Sequence, residues 1–173
     1  MLRAFCLSLF LLACAGSLEA GAVPARDATV DAAMALPDEL RRMLPADVAN
    51  RHIDDAIRVQ ALVDFMIADD GLGLLYQEQP THGIAESFAR RRVNCLSFTM
   101  MFIAMARAVG IPAHAQASDD ALAMRMQDGT LYRATHVNAG VMIDGARHSV
   151  DVGWRGVAAG RDPRRISDAR TVA

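Results

Sequence analysis

An apolar stretch from Asn94 to Pro112 constrains the fold of this chain more than any other part of it. Its large apolar residues recur at helical spacing and share one face of a predicted helix; they are Phe98, Met101, Phe102, Met105 and Val109. Asn94 is a favourable N-cap residue, Gly110 suits a left-handed C-terminal cap, and Pro112 stops the helix. The sequence therefore predicts a buried helix with Cys95 in its first turn.

The position of Cys95 at the start of this helix has a chemical consequence. Unpaired backbone N–H groups and the positive end of the helix dipole lie at a helix N-terminus, and both favour a thiolate over a thiol. A core cysteine packed beside methionines is the alternative on residue type alone. Because Cys6 and Cys14 lie in an apolar leader, the mature chain is expected to carry a single thiol without a disulfide partner.

The leader, residues 1–20, has the pattern of an export signal. A positive charge at Arg3 is followed by an apolar run too short to span a bilayer and then by small residues. The run Leu11-Leu12-Ala13-Cys14 also fits a bacterial lipobox, in which Cys14 would become a lipidated first residue. The expected product is a periplasmic protein or a membrane-anchored lipoprotein. An apolar first helix of the fold is the remaining alternative.

Charge and motif content exclude several classes of function. The chain has 173 residues and a formal net charge of −2, which gives no basis for nucleic-acid binding. His82, His114 and His148 have no metal-ligand spacing with one another or with Cys95, so neither a metal nor another cofactor is expected. No G-x-S-x-G elbow surrounds Ser149, which argues against a serine hydrolase.

Helices are predicted to precede the cysteine. Residues 21–51 read as a tether with short helical pieces, one of them starting at Pro37. An amphipathic helix is predicted from Asp54 to Ile67 and a short helix from Ile84 to Arg91, with an irregular connection from Leu74 to Thr81. The apolar set assigned to the first of these is Ile57, Val59, Leu62, Val63 and Met66.

Strands are predicted after the cysteine helix. Alternating apolar residues indicate a strand from Ile111 to Ala117, a turn at 118–120, a second strand at 122–127 and a hairpin turn at Asp128-Gly129. Residues 52–160 are expected to form the folded domain. Residues 161–173 are expected to be a tail in which Ser167 begins a helix.

A second predicted hairpin has a register that the sequence can fix. Its strands run from Tyr132 to Ile143 and from Arg147 to Gly153, around a two-residue turn at Asp144-Gly145. In that register His136 and Asp151 are diagonal neighbours on one face, within reach of a hydrogen bond. The opposite face is purely apolar, with Val137, Ala139, Val141, Ile143, Val150 and Val152. A three-residue loop would break this parity.

Cys95, His136 and Asp151 follow the order of a Cys-His-Asp thiol triad. In such a triad the thiolate attacks an acyl carbon and the imidazole transfers the proton. The carboxylate fixes the imidazole tautomer, and backbone N–H groups at the helix start hold the oxyanion. Gln77 and Gln79 precede the cysteine and are candidates for a further oxyanion donor, but no motif supports either.

The segment from Asn94 to Ala113 resembles the transglutaminase-like superfamily, a branch of papain-like folds. The resemblance lies in the Asn-Cys helix and its ending Arg107-Ala108-Val109-Gly110-Ile111-Pro112-Ala113. His136 follows Cys95 by 41 positions and Asp151 follows His136 by 15, gaps similar to those of the family. The preceding helices and Tyr76 also fit.

This resemblance implies an α+β, papain/transglutaminase-like fold in which N-terminal helices precede a buried Cys-bearing helix packed on a small antiparallel sheet. It implies acyl transfer through a Cys95 thioester on a peptide or protein substrate. With water as acceptor the enzyme would be a peptidase or amidase, and with an amine it would be a transglutaminase. The closest likeness is to exported bacterial members, which places the protein in the cell envelope.

Two positions depart from the family. Many members have an aromatic residue and an acid where this chain has Asn138 and Gly140. The alternative to an enzyme is therefore a non-catalytic module that binds peptide or polysaccharide in the same groove. The run Arg90-Arg91-Arg92 is interpreted as a solvated helix end, with binding of an anionic substrate group near the thiol as its functional alternative.

Overall fold

A computed structural model describes residues 30–127, 130–152, 156–159 and 164–172. Its helices are α1 (Asp38–Arg42), α2 (Ala46–Ala49), α3 (Asp55–Ile67), α4 (Ile84–Arg90), α5 (Cys95–Ala108) and α6 (Asp168–Thr171). Its strands are β1 (Leu75–Tyr76), β2 (Arg92–Val93), β3 (Ala113–Gln127), β4 (Thr130–Ile143), β5 (Ala146–Asp151), β6 (Gly156–Ala159) and β7 (Arg164–Arg165). The fold is α+β, as predicted: helices precede an antiparallel sheet of order β6-β5-β4-β3-β7.

Helix α5 lies at the centre of the core. Every residue from 97 to 106 is buried, so the helix is enclosed on all sides and not only along its predicted apolar face. It packs on β4 and β3 through the small and apolar side chains that alternate along those strands, among them Ala115, Ala139 and Val141. Gly110 has φ +82°, the left-handed conformation expected after the helix.

The β4–β5 hairpin has the predicted register. Asp144 and Gly145 have φ of 51° and 76°, the two positive values that a type I′ turn requires. Ile143 pairs with Ala146 and Ala139 pairs with Val150, so the turn contains two residues and the parity is kept. Strand β5 ends at Asp151 and Val152 lies in a turn, whereas the predicted end at Gly153 lies outside the described residues.

Strand β3 corrects the prediction of two strands separated by a turn at 118–120. It is a single strand whose register against β4 shifts between Ser118, which pairs with His136, and Ala123, which pairs with Ala134. More residues lie on β3 than on β4 between these pairs, and they are accommodated as a bulge because β4 continues alongside. The predicted turn at Asp128-Gly129 lies outside the described residues, but Gln127 and Thr130 on either side of it are paired.

Helix α3 corrects the prediction that Ile57 faces the core. Ile57 is 60% exposed, whereas the adjacent Arg58 is 3% exposed. The Arg58 guanidinium donates to Val48 O at 2.9 Å and to Val109 O at 2.7 Å, and it pairs with Asp55 at 2.6 Å. Arg58 lies inside because its donors satisfy carbonyls of α2 and of the C-terminal end of α5 that would otherwise be buried without partners.

The folded unit includes residues before the predicted boundary at 52 and residues after the predicted boundary at 160. Leu40 and Val48 are fully buried, and Ile166 and Val172 pack against the same core. Sequence reasoning assigned these segments to a tether and a tail because each is too short to show a clear period. Ser167 does cap a helix, as predicted.

The predicted irregular connection from Leu74 to Thr81 contains a strand. Two residues of this segment form β1, which pairs in parallel with β2 immediately before Cys95. Among the described residues, no helix is long and apolar enough to cross a membrane. The predicted leader lies outside those residues.

Replacing Arg58 by Met should destabilise the fold by about 2–4 kcal/mol, because two buried carbonyls lose their donors while the side-chain volume is largely kept. Urea unfolding at neutral pH measures the change. Arg90→Met is the matched control, since Arg90 is exposed and pairs only with the exposed Glu86 in the described part of the chain. Its expected cost is below about 0.5 kcal/mol. Equal losses in both variants would contradict the role given to Arg58.

Candidate active site

Cys95 is the first residue of α5, and a capping box fixes that end of the helix. The Asn94 side-chain oxygen accepts from Ser97 N at 2.9 Å, and the Ser97 hydroxyl accepts from Asn94 N at 2.8 Å. In the part of the chain that the structure describes, the N–H groups of Cys95 and Leu96 have no acceptor. Two donors therefore remain available beside the sulfur, where an oxyanion would need them. Cys95 itself is partly exposed.

Asn94 also ties the preceding loop to the helix. Its amide nitrogen donates to Thr81 Oγ1 at 2.6 Å and to Glu78 O at 3.3 Å. The residue is 6% exposed, so these hydrogen bonds form away from bulk water. The loop at 78–81 is consequently held against the first turn of α5.

Thr99 connects the cysteine helix to the strand that carries the histidine. Its hydroxyl donates to Cys95 O at 2.7 Å within α5, and it lies 3.3 Å from Val137 O on β4. Val137 directly follows His136. A single buried hydroxyl thus sets the spacing between the two backbones that carry the thiol and the imidazole.

His136 and Asp151 form a hydrogen bond between Nε2 and Oδ2. The carboxylate side chain is 8% exposed and the imidazole 28%, so the acid is buried and the ring faces partly outward. The hydrogen bond to Asp151 raises the pKa of His136 to about 10, and a hydrogen bond with the Cys95 side chain contributes to the rise. The structure therefore brings together the three residues that the sequence predicted, and the imidazole is cationic at neutral pH.

Tyr76 borders this group from β1. Partial burial raises the pKa of Tyr76, and the nearby Cys95, Glu78 and Asp151 add to the rise. Pairing of Tyr76 with Val93, two residues before Cys95, explains its proximity to the thiol. Sequence reasoning had associated Tyr76 with the site only through the family resemblance.

Other candidate residues have partners of their own. Gln77 donates its amide to Gln79 O at 2.7 Å, so its donor is used within its own loop. His82 pairs with Glu86 at 3.0 Å, and Arg90 pairs with the same carboxylate at 2.8 Å. Arg91 lies over the ring of Phe88, 4.6 Å from its centroid. Among the described residues, no group of three His, Cys, Asp or Glu side chains is placed to hold a metal ion.

No family model and no curated protein matches this sequence. A solved structure, a "putative cysteine protease" from Cytophaga hutchinsonii, is similar with a TM-score of 0.49 and 18% identity. The match covers 84% of this chain and 49% of that structure's chain, so the present chain spans about half its length.

The histidine should titrate far above its ordinary range in the folded protein. Because the pKa of His136 is raised from 6.5 to about 10, its pairing stabilises the folded state fully below about pH 6.5 and loses that contribution as pH rises towards 10. Asp151→Asn should lower the His136 midpoint by several pH units, measured from its Cε1 NMR shift. A wild-type midpoint near 6.5 would contradict the pairing.

Proposed function

We propose that this protein is a thiol-dependent acyl-transfer enzyme of the papain/transglutaminase-like type, acting on peptide or amide bonds. The observation that carries the proposal is the convergence of Cys95, His136 and Asp151 at the capped N-terminus of α5. A cation next to a sulfur at a helix N-terminus favours the thiolate, which is the nucleophilic form.

The first half of the proposed reaction forms a thioester. The Cys95 sulfur attacks the acyl carbon, and the carbonyl electron pair moves to oxygen, which the N–H groups of Cys95 and Leu96 are placed to bind. The C–N bond then breaks as the electron pair returns. His136 gives its proton to the leaving nitrogen, and an amine departs.

The second half releases the acyl group. Water attacks the thioester and gives its proton to His136, after which the C–S bond breaks and a carboxylic acid leaves with the thiolate restored. Asp151 stays ionised and holds the imidazole by its Nε2, which leaves the other edge of the ring for the sulfur and the substrate. An amine in place of water would give a transglutaminase, and the proposal takes water as the acceptor.

Partial exposure of Cys95 supports an active thiol over a purely structural one, because a core cysteine would be closed to solvent.

The competing function is a module that binds peptide or polysaccharide without turnover. It retains support from Asn138 and Gly140, which differ from the family pattern. The proposal includes export to a bacterial cell envelope, because residues 1–20 have the pattern of an export signal. Mass spectrometry of the mature N-terminus distinguishes ordinary cleavage from lipidation at Cys14.

Alkylation of Cys95 by iodoacetamide at pH 7 should be about tenfold or more slower in His136→Ala than in wild type, because the thiolate loses its counter-ion. Mass spectrometry measures the rate at this residue. His148→Ala is the matched control: His148 lies on β5, pairs with Val141 and should leave the rate unchanged.

Turnover is tested in parallel with a quenched fluorescent peptide library and an ammonia-release assay. Wild type should cleave a subset of substrates, and Cys95→Ser should lose at least about three orders of magnitude of rate. Binding without turnover in either protein would support the non-catalytic module. Incorporation of an added primary amine would identify transglutaminase activity and overturn the choice of water.

A further inference from the structure

A groove separate from the thiol site lies where the C-terminal end of α5 meets the sheet. Its volume is about 670 Å³, which falls in the range of small-molecule sites. Arginines from three elements line it: Arg107 from α5, Arg147 from β5 and Arg165 from β7. None of the described residues that line the groove is acidic.

Arg107 and Arg165 differ in their partners within the described part of the chain. Arg107 forms a two-point pair with Asp168, at 2.5 and 3.2 Å, and its Nε donates to Ala113 O. Arg165 is held by backbone pairing with Gln116, but its side chain has no hydrogen bond or ion pair with any described residue, and the residue is exposed. The guanidinium group of Arg165 is therefore available to a ligand in the groove, and Arg107 is already engaged by a carboxylate.

His114 lies among the arginines that line the groove. Partial burial lowers the pKa of His114, and Arg165, Arg107 and Arg147 each lower it further. The imidazole is consequently neutral at pH 7 and leaves the arginines as the charged groups of the groove. All three lie close enough to His114 to affect its titration, so they act on the same small volume.

Gly140 leaves room for two side chains that line the groove. A Cβ at this position would lie 2.3 Å from Gln116 Oε1 and 2.7 Å from His114 Nε2. Gln116 is 3% exposed and donates to Ser149 Oγ at 2.7 Å, so its amide is fixed. Gly140, one of the two positions at which this chain departs from the family pattern, thus lets His114 and Gln116 lie across β4.

We propose that this groove binds a small organic anion through its carboxylate or phosphate groups. Guanidinium groups recognise both kinds of oxyanion by paired, charge-assisted hydrogen bonds. The Arg107–Asp168 pair shows that one of the three guanidinium forks already accommodates a planar carboxylate. A volume of this size is larger than a single inorganic ion needs, which favours an organic ligand.

The groove lies along the same sheet as the thiol site. His136 pairs with Ser118, Asn138 with Gln116 and Gly140 with His114, so the floor of the groove is two to four residues along the strands from the imidazole. This corresponds to roughly 7–14 Å at the rise of an antiparallel strand. Anion binding requires no turnover at Cys95, and the proposal is independent of the catalytic one.

Calorimetric titration of the full chain with citrate, and separately with pyrophosphate, tests the proposal at fixed ionic strength. Saturable binding is expected for at least one probe, and the responding probe identifies carboxylate or phosphate as the recognised group. Arg165→Gln should weaken binding by about tenfold or more, because one charge-assisted hydrogen-bonding partner is lost. Arg170→Gln is the matched control, since Arg170 is an exposed arginine of α6 that does not line the groove, and its affinity should stay within about twofold.

The His114 Cε1 NMR signal provides a second readout that nonspecific charge effects would not produce. A bound anion offsets the three arginines, so the midpoint of His114 should rise in the presence of the binding probe, and it should rise less in Arg165→Gln. Absence of saturable binding up to about 10 mM of both probes would overturn the proposal. Equal weakening in Arg165→Gln and Arg170→Gln would overturn it as well. Retained binding in Cys95→Ser would support its independence from the thiol.

Discussion

The hydrogen bonds of Asn94 determine where the central helix begins, and the rest of the site depends on that point. One side chain caps the helix and holds the loop at 78–81, and the next two N–H groups have no acceptor among the described residues. A helix start shifted by one residue would move the sulfur by about 100° around the axis and 1.5 Å along it. Thr99 holds the helix next to β4, which carries His136, so the sulfur would then move away from the imidazole.

Much of this arrangement could be predicted from sequence because it depends on local rules. Asn94 and Gly110 mark the helix ends by their conformational preferences, and Asp144-Gly145 selects a two-residue turn. Once that turn is known, the period of two along a strand places His136 and Asp151 on one face. The contact between His136 and Asp151, which are 15 positions apart, was therefore predictable without any tertiary information.

Other features depend on tertiary contacts and had no local signal. Arg58 displaces Ile57 from the core because carbonyls of two other helices need donors, which helical periodicity does not record. The bulge in β3 reflects its pairing with β4 over a long distance, whereas the local Asp-rich sequence favoured a turn. The parallel pair of β1 and β2 is too short to show alternation. The arginine groove combines side chains from three elements, each unremarkable in its own segment.

The type I′ turn at Asp144-Gly145 has an evolutionary consequence for this hairpin. Inserting or deleting one residue at the tip would exchange the two faces of β5 relative to β4 and direct the Asp151 carboxylate into the apolar layer beneath the sheet. An insertion or deletion of two residues would keep each side chain of β5 on its present face and would change only the length of the hairpin. Length variation among descendants of this chain should therefore accumulate in even steps at this tip.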